Sequence, residues 1–304
     1  MAQVPAIARQ TAPFWKLRAG VLRGFGSTSN RAKAEQSITR LNRSELYVPG
    51  SRPKIFAKAS QSSADVLVLD LEDSVATSKK QHARKHIIHA LKEMNFGSKT
   101  VAVRINGCDT EHQYRDIVDI IEQSGERLDM FVLPMVGVAA DVSAVDMLTS
   151  QVERAIGRKK RLKFGLIIET ALGMSNAHAI AGASSRNESL HFGVGDYVTS
   201  MGARVANIGG ASPSYGVLTD KDREGIRHYH WADVWHYPIS HIVCAARANG
   251  LLAIDGPFAN ISDLDGYKAQ CNRAAVLGCD GKWAIHPSQV DPANKAFDPL
   301  HAKG

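Results

Sequence analysis

Apolar and polar positions follow a repeating order along this chain. Eight short apolar segments each end in polar or charged residues, and between them apolar residues recur at three- and four-residue spacing. The eight segments are 46–52, 66–73, 101–107, 130–136, 164–170, 190–196, 251–257 and 282–288. A strand-then-helix unit repeated eight times predicts a closed (β/α)8 TIM barrel, an α/β fold whose reactive residues lie at the C-terminal ends of the strands.

The stretches between the segments carry the helical pattern. Segment 66–73 begins with an unbroken apolar run, as expected for a strand that is buried on both faces. Apolar residues then recur at helical spacing in 78–91, 115–123 and 142–156, which predicts helices with their basic residues outside. The longest insertion, 200–235, lies between the sixth and seventh strands, and we expect it to cover the substrate.

Composition and charge limit the class of protein. The length of 304 residues and the apolar content of 44% suit one barrel domain, which we place at 41–304. Residues 1–34 hold six basic residues and no acid, so the rest of the chain has 31 basic against 30 acidic residues. A nucleic-acid-binding face is therefore not expected. The apolar runs fall far short of the ~20 residues that a membrane-spanning helix needs.

Residues 1–40 are predicted to be a targeting presequence or a disordered extension. They begin acid-free, contain arginines and include the hydroxyl-rich stretch 23–29, a composition typical of mitochondrial presequences. A presequence implies the mitochondrial matrix, and the alternative is an extension of a protein of the bacterial cytoplasm. The four cysteines form no Cys-x-x-Cys pair, so we expect reduced thiols that pack as small core residues.

Charged residues gather where the predicted strands end, which predicts a site for a metal ion and an anion. They are Arg52, Glu72, Asp73, Arg104, Glu169, Asp196, Asp255 and His286. Glu169 and Asp196 end neighbouring segments, and adjacent strands lie only ~4.8 Å apart, so both carboxylates can reach one cation. Two carboxylates without a Cys or His ligand suit Mg2+, with Mn2+ as the alternative. The other interpretation is that each acid caps a helix or pairs with a base.

Arg104 ends the third segment, where a guanidinium can stabilise an oxyanion or clamp a carboxylate. A structural ion pair with Glu72 or Asp73 is compatible with either role. Asp73 precedes a helix and is predicted to be its N-cap. Glu72 is then the acid placed to orient Arg104 or to hold a water on the metal. Arg104 and Glu72 are therefore the candidate catalytic residues.

The first helix begins beside three basic residues, Arg52, Lys54 and Lys58. A helix N-terminus and basic side chains together favour phosphate, and the mouth of a barrel suits the phosphorylated tail of a cofactor. A solvated basic face is the alternative. His286, in the last segment, either acts on the substrate or is held by backbone hydrogen bonds beneath the barrel mouth.

These motifs, taken in order, resemble the malyl-CoA lyase branch of the HpcH/HpaI aldolase and citrate lyase β-subunit family. The resemblance covers residues 45–300. The motifs that carry it are LYVPGSRPKIFAKA, VLDLEDSVA, VRINGCDT, DMFVLPMVG, LIIETALG, FGVGDYVTSMGA, DGPFANISDLDGY and GKWAIHPSQV. A single one of them is unspecific, whereas eight in the right order are a specific signal.

The resemblance implies an oxo-acid lyase. The implied reaction is the Mg2+-dependent cleavage, or the formation, of a 3-hydroxyacyl-CoA such as malyl-CoA, with glyoxylate and acetyl-CoA as products and an enolate between. It implies that Glu169 and Asp196 hold Mg2+ and that Arg104 steadies the enolate.

The resemblance also implies how coenzyme A and other subunits are bound. Arg52 and Lys58 correspond to residues that bind the phosphates of coenzyme A. Ile285 and Pro287 correspond to residues that lie along its pantetheine arm. The family implies a homotrimer or a homohexamer.

The sequence departs from the family in two places. Met135 stands where the family commonly has a lysine, which removes a charge near the site. Family members carry a C-terminal helical lid whose carboxylate serves a neighbouring subunit, and we expect this lid to be missing or truncated, since the sequence ends at Gly304. The alternatives are therefore a malyl-CoA-type thioester hydrolase and a non-catalytic acyl-CoA-binding subunit. A metal-dependent pyruvate aldolase, a further alternative, would have no use for Arg52 and Lys58.

Overall fold

Eight parallel strands form a closed barrel, as predicted. The computed structural model describes residues 40–299, apart from residues 206 and 213 and the side chain of residue 231. The barrel strands are β1 (Ser44–Pro49), β2 (Val66–Asp70), β3 (Thr100–Arg104), β4 (Met130–Leu133), β5 (Lys163–Ile168), β6 (Asn187–Phe192), β9 (Leu252–Asp255) and β10 (Gly281–Ala284). They follow one another around the barrel in the order β1-β10-β9-β6-β5-β4-β3-β2, and β1 pairs with both β2 and β10 to close it.

Helices connect the strands on the outside of the barrel. They are α1 (Phe56–Ser60), α2 (Lys80–Glu93), α3 (Gln113–Gln123), α4 (Ala139–Ala155), α5 (Ala171–Ser175), α6 (Ala177–Ala181), α7 (Val194–Ser200), α8 (His236–Ala248), α9 (Leu264–Leu277) and α10 (Val290–Ala296). The three helices predicted from periodicity correspond to α2, α3 and α4. None of the helices among the described residues has the length and apolar character needed to cross a membrane.

Side chains along the barrel strands alternate between the interior and the layer beneath the helices. The interior apolar cluster consists of Tyr47, Val66, Val68, Ala102, Met130, Val132, Ile167, Ile254 and Trp283. The intervening residues, such as Leu67, pack against helix residues such as Ile87 in a larger outer core. The same period of two places Asp70 and Arg104 inside the barrel, at its C-terminal mouth.

The prediction that α2 turns its bases outward is wrong for two residues, because Lys80 and Arg84 are buried. Lys80 Nζ donates to the carbonyl oxygens of Leu71, at 2.7 Å, and Glu72, at 2.8 Å. Arg84 Nε donates to Asp116 at 2.7 Å. A buried cation needs such oxygen partners, so both side chains reach inward to loops and acids that supply them.

The insertion between β6 and β9 contains a short antiparallel hairpin, β7 (Gly216–Leu218) with β8 (Tyr229–Trp231). The insertion is anchored by Trp235, which is buried and donates its Nε1 hydrogen to the Gly210 carbonyl at 2.7 Å. Its expected role as a substrate cover stays a prediction.

Two further expectations concern the cysteines and the N-terminal segment. All four cysteines are free, as expected, but only Cys271 is buried, and Cys108 and Cys244 are exposed, so the expectation of four core residues is wrong for those two. The predicted presequence lies outside the described residues, and the boundary of the barrel domain at residue 41 stays a prediction.

Candidate active site

Arg104 lies inside the mouth of the barrel and is held by a carboxylate on the neighbouring strand β2. It is the last residue of β3 and pairs in register with Asp70, the last residue of β2. Arg104 Nε donates to Asp70 Oδ1 at 2.6 Å and Nη2 donates to Oδ2 at 2.7 Å. Burial works against ionisation of Asp70, but the guanidinium charge prevails and lowers the pKa of that carboxyl below its usual value. The pair is therefore ionised, and Nη1 is the atom left for another partner.

Glu72 lies against the remaining nitrogen of Arg104. Nη1 is 2.8 Å from Glu72 Oε2 and 3.6 Å from Asp73 Oδ2. The N–H bonds of Nη1 are not directed at Oε2, which accepts no hydrogen bond from the described residues. Burial raises the pKa of Glu72 to about 7, against the lowering effect of the Arg104 charge. Glu72 thus contacts Arg104 electrostatically and keeps an acceptor available for substrate or water.

The prediction that Asp73 caps a helix is wrong. The next helical turn is a 3-10 helix at Thr77–Lys79, and Ala76 occupies its N-cap position. Asp70 stabilises the intervening loop because it accepts hydrogen bonds from the Glu72 N–H, at 3.0 Å, and from the Ser74 hydroxyl. Because the loop folds over the Asp70 carboxylate, the first helical turn begins only at Thr77, and Asp73 is exposed at the barrel mouth.

Glu169 and Asp196 come from neighbouring parts of the barrel, as the sequence predicted. Glu169 directly follows β5 and is buried, whereas Asp196 lies in the first turn of α7, which follows β6. Gly193 allows the two segments to approach closely. A Cβ atom on this residue would lie 2.3 Å from Glu169 Cβ and 2.4 Å from Oε2.

The backbone after β4 fixes the orientation of the Glu169 carboxyl group. The Met135 N–H donates to Glu169 Oε1 at 2.6 Å. Met135 has a φ angle of 56°, which is uncommon for a residue with a side chain and marks a constrained position. The residue that departs from the family pattern therefore contributes to the site through its backbone.

The electrostatics of the carboxylate pair suit a cation. Burial raises the pKa of Glu169 to about 8; the Met135 N–H opposes the rise and the charge of Glu72 adds to it. Burial, followed by the charge of Asp73, also raises the pKa of Asp196. A divalent ion would stabilise both ionised forms, and these oxygen ligands fit a hard ion such as Mg2+. The described residues contain no cluster of three or more His, Cys, Asp or Glu able to hold a metal, so the remaining ligands would be water or substrate.

Basic and apolar residues lie on the part of the rim formed by β1 and β10. Arg52 and Lys58 are exposed on the loop and helix that follow β1, and neither side chain makes a hydrogen bond or ion pair with a described residue. Ile285 and Pro287 are exposed directly after β10, the strand that pairs with β1. The two groups predicted to bind coenzyme A therefore lie on adjacent strands.

Two other predicted site residues have structural roles. Asp255 faces the helix layer and not the mouth, because Ile254 occupies the interior position and side chains alternate. There Asp255 accepts from Lys282 Nζ at 2.6 Å, and both residues are buried. His286 is exposed and caps the 3-10 helix Pro287–Gln289 by accepting from the Ser288 N–H at 3.2 Å. Asp255 therefore does not belong to the candidate site.

The main residue that the sequence did not single out is Asp70. The expected ion pair of Arg104 with Glu72 or Asp73 is present, at 2.8 and 3.6 Å, but Asp70 makes both directed hydrogen bonds. The sequence did contain a signal for this pair, since Asp70 and Arg104 are at the ends of two consecutive predicted strands, and residues at matching ends of adjacent parallel strands lie side by side. No comparable signal identifies Lys80, whose ammonium group reaches the Glu72 loop from the start of α2.

Comparison with known proteins agrees with this arrangement. The family model for HpcH/HpaI aldolase/citrate lyase matches residues 43–287. The chain belongs to this family. It is an enzyme of the lyase class, and the family's barrel architecture is the one described above.

Three similar proteins show the range of this family. L-malyl-CoA/β-methylmalyl-CoA lyase of Cereibacter sphaeroides is 48% identical over 86% of this chain and 80% of its own length. The (3S)-malyl-CoA thioesterase of the same species is 33% identical over 86% of this chain and 79% of its own. A crystal structure of protein CitE from Mycobacterium tuberculosis in complex with magnesium, acetoacetate and coenzyme A has a TM-score of 0.65 and 28% identity, covering 87% of this chain and 84% of that one.

Proposed function

We propose that this lyase carries out the Mg2+-dependent cleavage, or formation, of a 3-hydroxyacyl-CoA such as malyl-CoA, with glyoxylate and acetyl-CoA as products. The observation that carries the proposal is the position of Arg104, whose Nη1 makes no directed hydrogen bond, at the same end of the barrel as the buried Glu169. Such a site combines a place for a cation with a donor for an oxyanion. The similarity to named malyl-CoA lyases supports the choice of substrate.

Glu169 and Asp196 are the residues that would hold Mg2+. When bound there, the ion would supply Lewis acidity toward the carboxylate and hydroxyl oxygens of the substrate. The Met135 N–H donates to Glu169 Oε1 and so holds the carboxyl group that would bind the ion. The magnesium named in the CitE complex supports the choice of metal at the level of the family.

Arg104 stabilises the charge that develops during the reaction. The substrate hydroxyl gives up its proton to a base as its oxygen becomes the carbonyl oxygen of glyoxylate. As the carbon–carbon bond breaks, its electron pair moves to the thioester, whose oxygen becomes an enolate oxygen, and the methylene carbon then takes a proton to give acetyl-CoA. A guanidinium fixed in a site with little water stabilises that oxygen without reorganisation. Glu72 contacts Nη1 electrostatically, at 2.8 Å. Both are thus assigned to catalysis.

Coenzyme A binds along the β1–β10 rim in this proposal. The side chains of Arg52 and Lys58 are unpaired cations on the loop and the short helix after β1, which suits the phosphates. Ile285 and Pro287 offer an apolar surface to the pantetheine arm on the adjacent strand. A metal-dependent pyruvate aldolase, by contrast, would leave these exposed residues without a role.

The assembly and the compartment are also proposals. We infer a homotrimer or homohexamer from the resemblance to the family alone. The mitochondrial matrix is inferred from the composition of residues 1–34, with the bacterial cytoplasm as the alternative.

Thioester hydrolysis is the second candidate, because a malyl-CoA thioesterase is among the similar proteins. The two reactions are distinguished by their products when malyl-CoA and Mg2+ are supplied. Our proposal predicts glyoxylate and acetyl-CoA in equal amounts. Malate with free coenzyme A would favour the hydrolase and overturn the lyase assignment for this substrate.

A further inference from the structure

The interior of the barrel directly beneath Arg104 is aromatic. The rings of Tyr47 and Trp283 lie 4.0 Å apart, centroid to centroid, at an interplanar angle of 30°. The guanidinium carbon of Arg104 lies 5.4 Å from the centroid of the Tyr47 ring and 5.7 Å from that of Trp283. These distances are within the range of cation–π attraction. We call the two rings the aromatic platform.

The platform and Asp70 restrain Arg104 in different directions. The two hydrogen bonds to Asp70 fix the guanidinium within its own plane. They leave it able to tilt about the axis that joins the two groups. Rings packed beneath a planar cation oppose that tilt. The direction in which Nη1 points therefore depends on the platform.

The platform is itself anchored from below. Trp283 Nε1 donates a hydrogen bond to Nδ1 of His191 at 3.0 Å. His191 is fully buried, its Nε2 is 2.8 Å from Ser189 Oγ, and its Nδ1 is 3.3 Å from Glu45 Oε2. An indole N–H can only donate, so the position of its acceptor, His191 Nδ1, helps to fix the orientation of the Trp283 ring.

The neighbouring strand makes room for the imidazole. A Cβ atom at Gly165, on β5, would lie 2.7 Å from His191 Nε2 and 3.1 Å from Ser189 Oγ. The absence of a side chain at Gly165 therefore opens the space that the ring occupies. His191 is therefore a fully buried polar ring that fits a space left by Gly165 and is hydrogen-bonded to the platform.

We propose that His191 is a positioning residue, which acts through Trp283 to hold the guanidinium of Arg104 at the angle needed to meet the enolate oxygen. This inference rests on the proposed function. His191 lies below the aromatic platform and does not touch the substrate. Its effect should appear in kcat more than in KM, because the charge that Arg104 meets develops only in the transition state.

A pair of substitutions separates positioning from packing. His191→Asn keeps an oxygen close to the position of Nδ1 and can still accept from Trp283, whereas His191→Leu removes the acceptor. We expect kcat for malyl-CoA cleavage to fall about tenfold in His191→Leu and less than about threefold in His191→Asn, with KM changed less than about twofold. Equal losses in both variants, or an unchanged kcat in His191→Leu, would overturn the proposal.

Asn187→Ala is the matched control for stability. Asn187 lies on the same strand at its opposite end and donates two hydrogen bonds, to Ile180 and Ala181, each at 3.1 Å. Asn187→Ala also removes buried hydrogen bonds, but position 187 lies at the end of β6 away from His191. We expect a lower unfolding midpoint with wild-type kcat. If kcat falls as much in Asn187→Ala as in His191→Leu, the effect of His191→Leu on kcat would be due to lost stability, which would overturn the proposal.

A spectroscopic measurement keeps this inference separate from the proposed function. The indole N–H signal of Trp283, assigned by its loss in Trp283→Phe, and the Nε–H signal of Arg104 are followed by nitrogen-15 NMR. Both signals should shift in His191→Leu and stay near their wild-type positions in His191→Asn. If the wild type proves inactive on malyl-CoA, these shifts still test the coupling, and an unmoved Arg104 signal in His191→Leu rejects it.

Discussion

At the scale of single residues, the site depends on how Arg104 is held. Its guanidinium makes two directed bonds to Asp70 and lies over two rings, which leaves Nη1 as the nitrogen without a directed bond to Asp70. A lysine could replace the charge but not the planar fork or the stacking. Geometry, more than charge alone, distinguishes this position.

Arg104→Lys tests that distinction. We expect kcat to fall about a hundredfold, as for the loss of an oxyanion donor. We also expect the free energy of unfolding to fall by about 1–3 kcal/mol, because the buried Asp70 loses a partner. Steady-state kinetics and chemical denaturation measure the two effects. The control is Arg115→Lys, since Arg115 also lies over a tyrosine, at 5.1 Å from the Tyr114 ring, but on the surface. Full activity in Arg104→Lys would contradict the role assigned to the guanidinium.

At the scale of elements, the site exists where segments approach one another closely. The contact between the start of α7 and the end of β5 depends on Gly193, which leaves no space for a Cβ atom beside Glu169. The loop after β2 depends on Lys80, which reaches it from α2. Each contact joins two elements and positions one carboxylate.

Gly193→Ala should displace the Glu169 carboxyl group. We expect Mg2+ affinity, measured by calorimetry, to fall at least about tenfold, the scale seen when the support of a metal ligand is disturbed. Gly195→Ala is the matched control two residues further on, where the nearest atom to an added Cβ would be Ile208 Cδ1 at 3.9 Å. Equal affinity in Gly193→Ala and the wild type would refute the close approach.

Lys80→Met should loosen the loop that carries Glu72. The substitution keeps a long apolar chain but leaves two carbonyl groups without their donor, so we expect the free energy of unfolding to fall by about 1–3 kcal/mol. We also expect a lower kcat, since Glu72 contacts Arg104. Lys79→Met, at the exposed neighbouring position, should leave both unchanged. If both variants behave alike, the buried ammonium group has no special role.

The sequence predicted these elements well because each barrel strand is a short apolar run. It predicted that Glu169 and Asp196 lie in neighbouring parts of the barrel because they follow adjacent strands, and their role as metal ligands stays a prediction. It placed Asp255 in the site wrongly, because the alternation of side chains along the strand was not applied to the strand ends. Ile254 points into the barrel, so the next residue, Asp255, points toward the helix layer. It placed the Asp73 cap wrongly because the hydrogen bonds of Asp70 to the loop are tertiary contacts that no local pattern records.

At the scale of the whole molecule, the barrel brings distant segments to one mouth. The proposed coenzyme A rim follows β1 and β10, the proposed oxyanion donor Arg104 ends β3, and the two carboxylates follow β5 and β6. Residues from 52 to 287 thereby lie at one end of the barrel, although they are far apart in sequence. Under the proposed function, a single substrate meets all of them there.

Arg52→Ala with Lys58→Ala tests the rim. We expect KM for the acyl-CoA to rise about tenfold at low salt and less at high salt, because exposed charges are screened. The value of kcat should stay close to that of the wild type. Lys85→Ala, which removes an exposed charge from α2, is the control and should leave KM unchanged. An unaltered KM in the double variant would place coenzyme A elsewhere.

A calorimetric titration of the protein with Mg2+, with and without glyoxylate, tests the metal site most directly. We expect one ion bound per chain in the wild type and no measurable binding when Glu169→Gln and Asp196→Asn are combined. Failure of the wild type to bind Mg2+ or Mn2+ under either condition would contradict this expectation. Undiminished binding by the double variant would do the same.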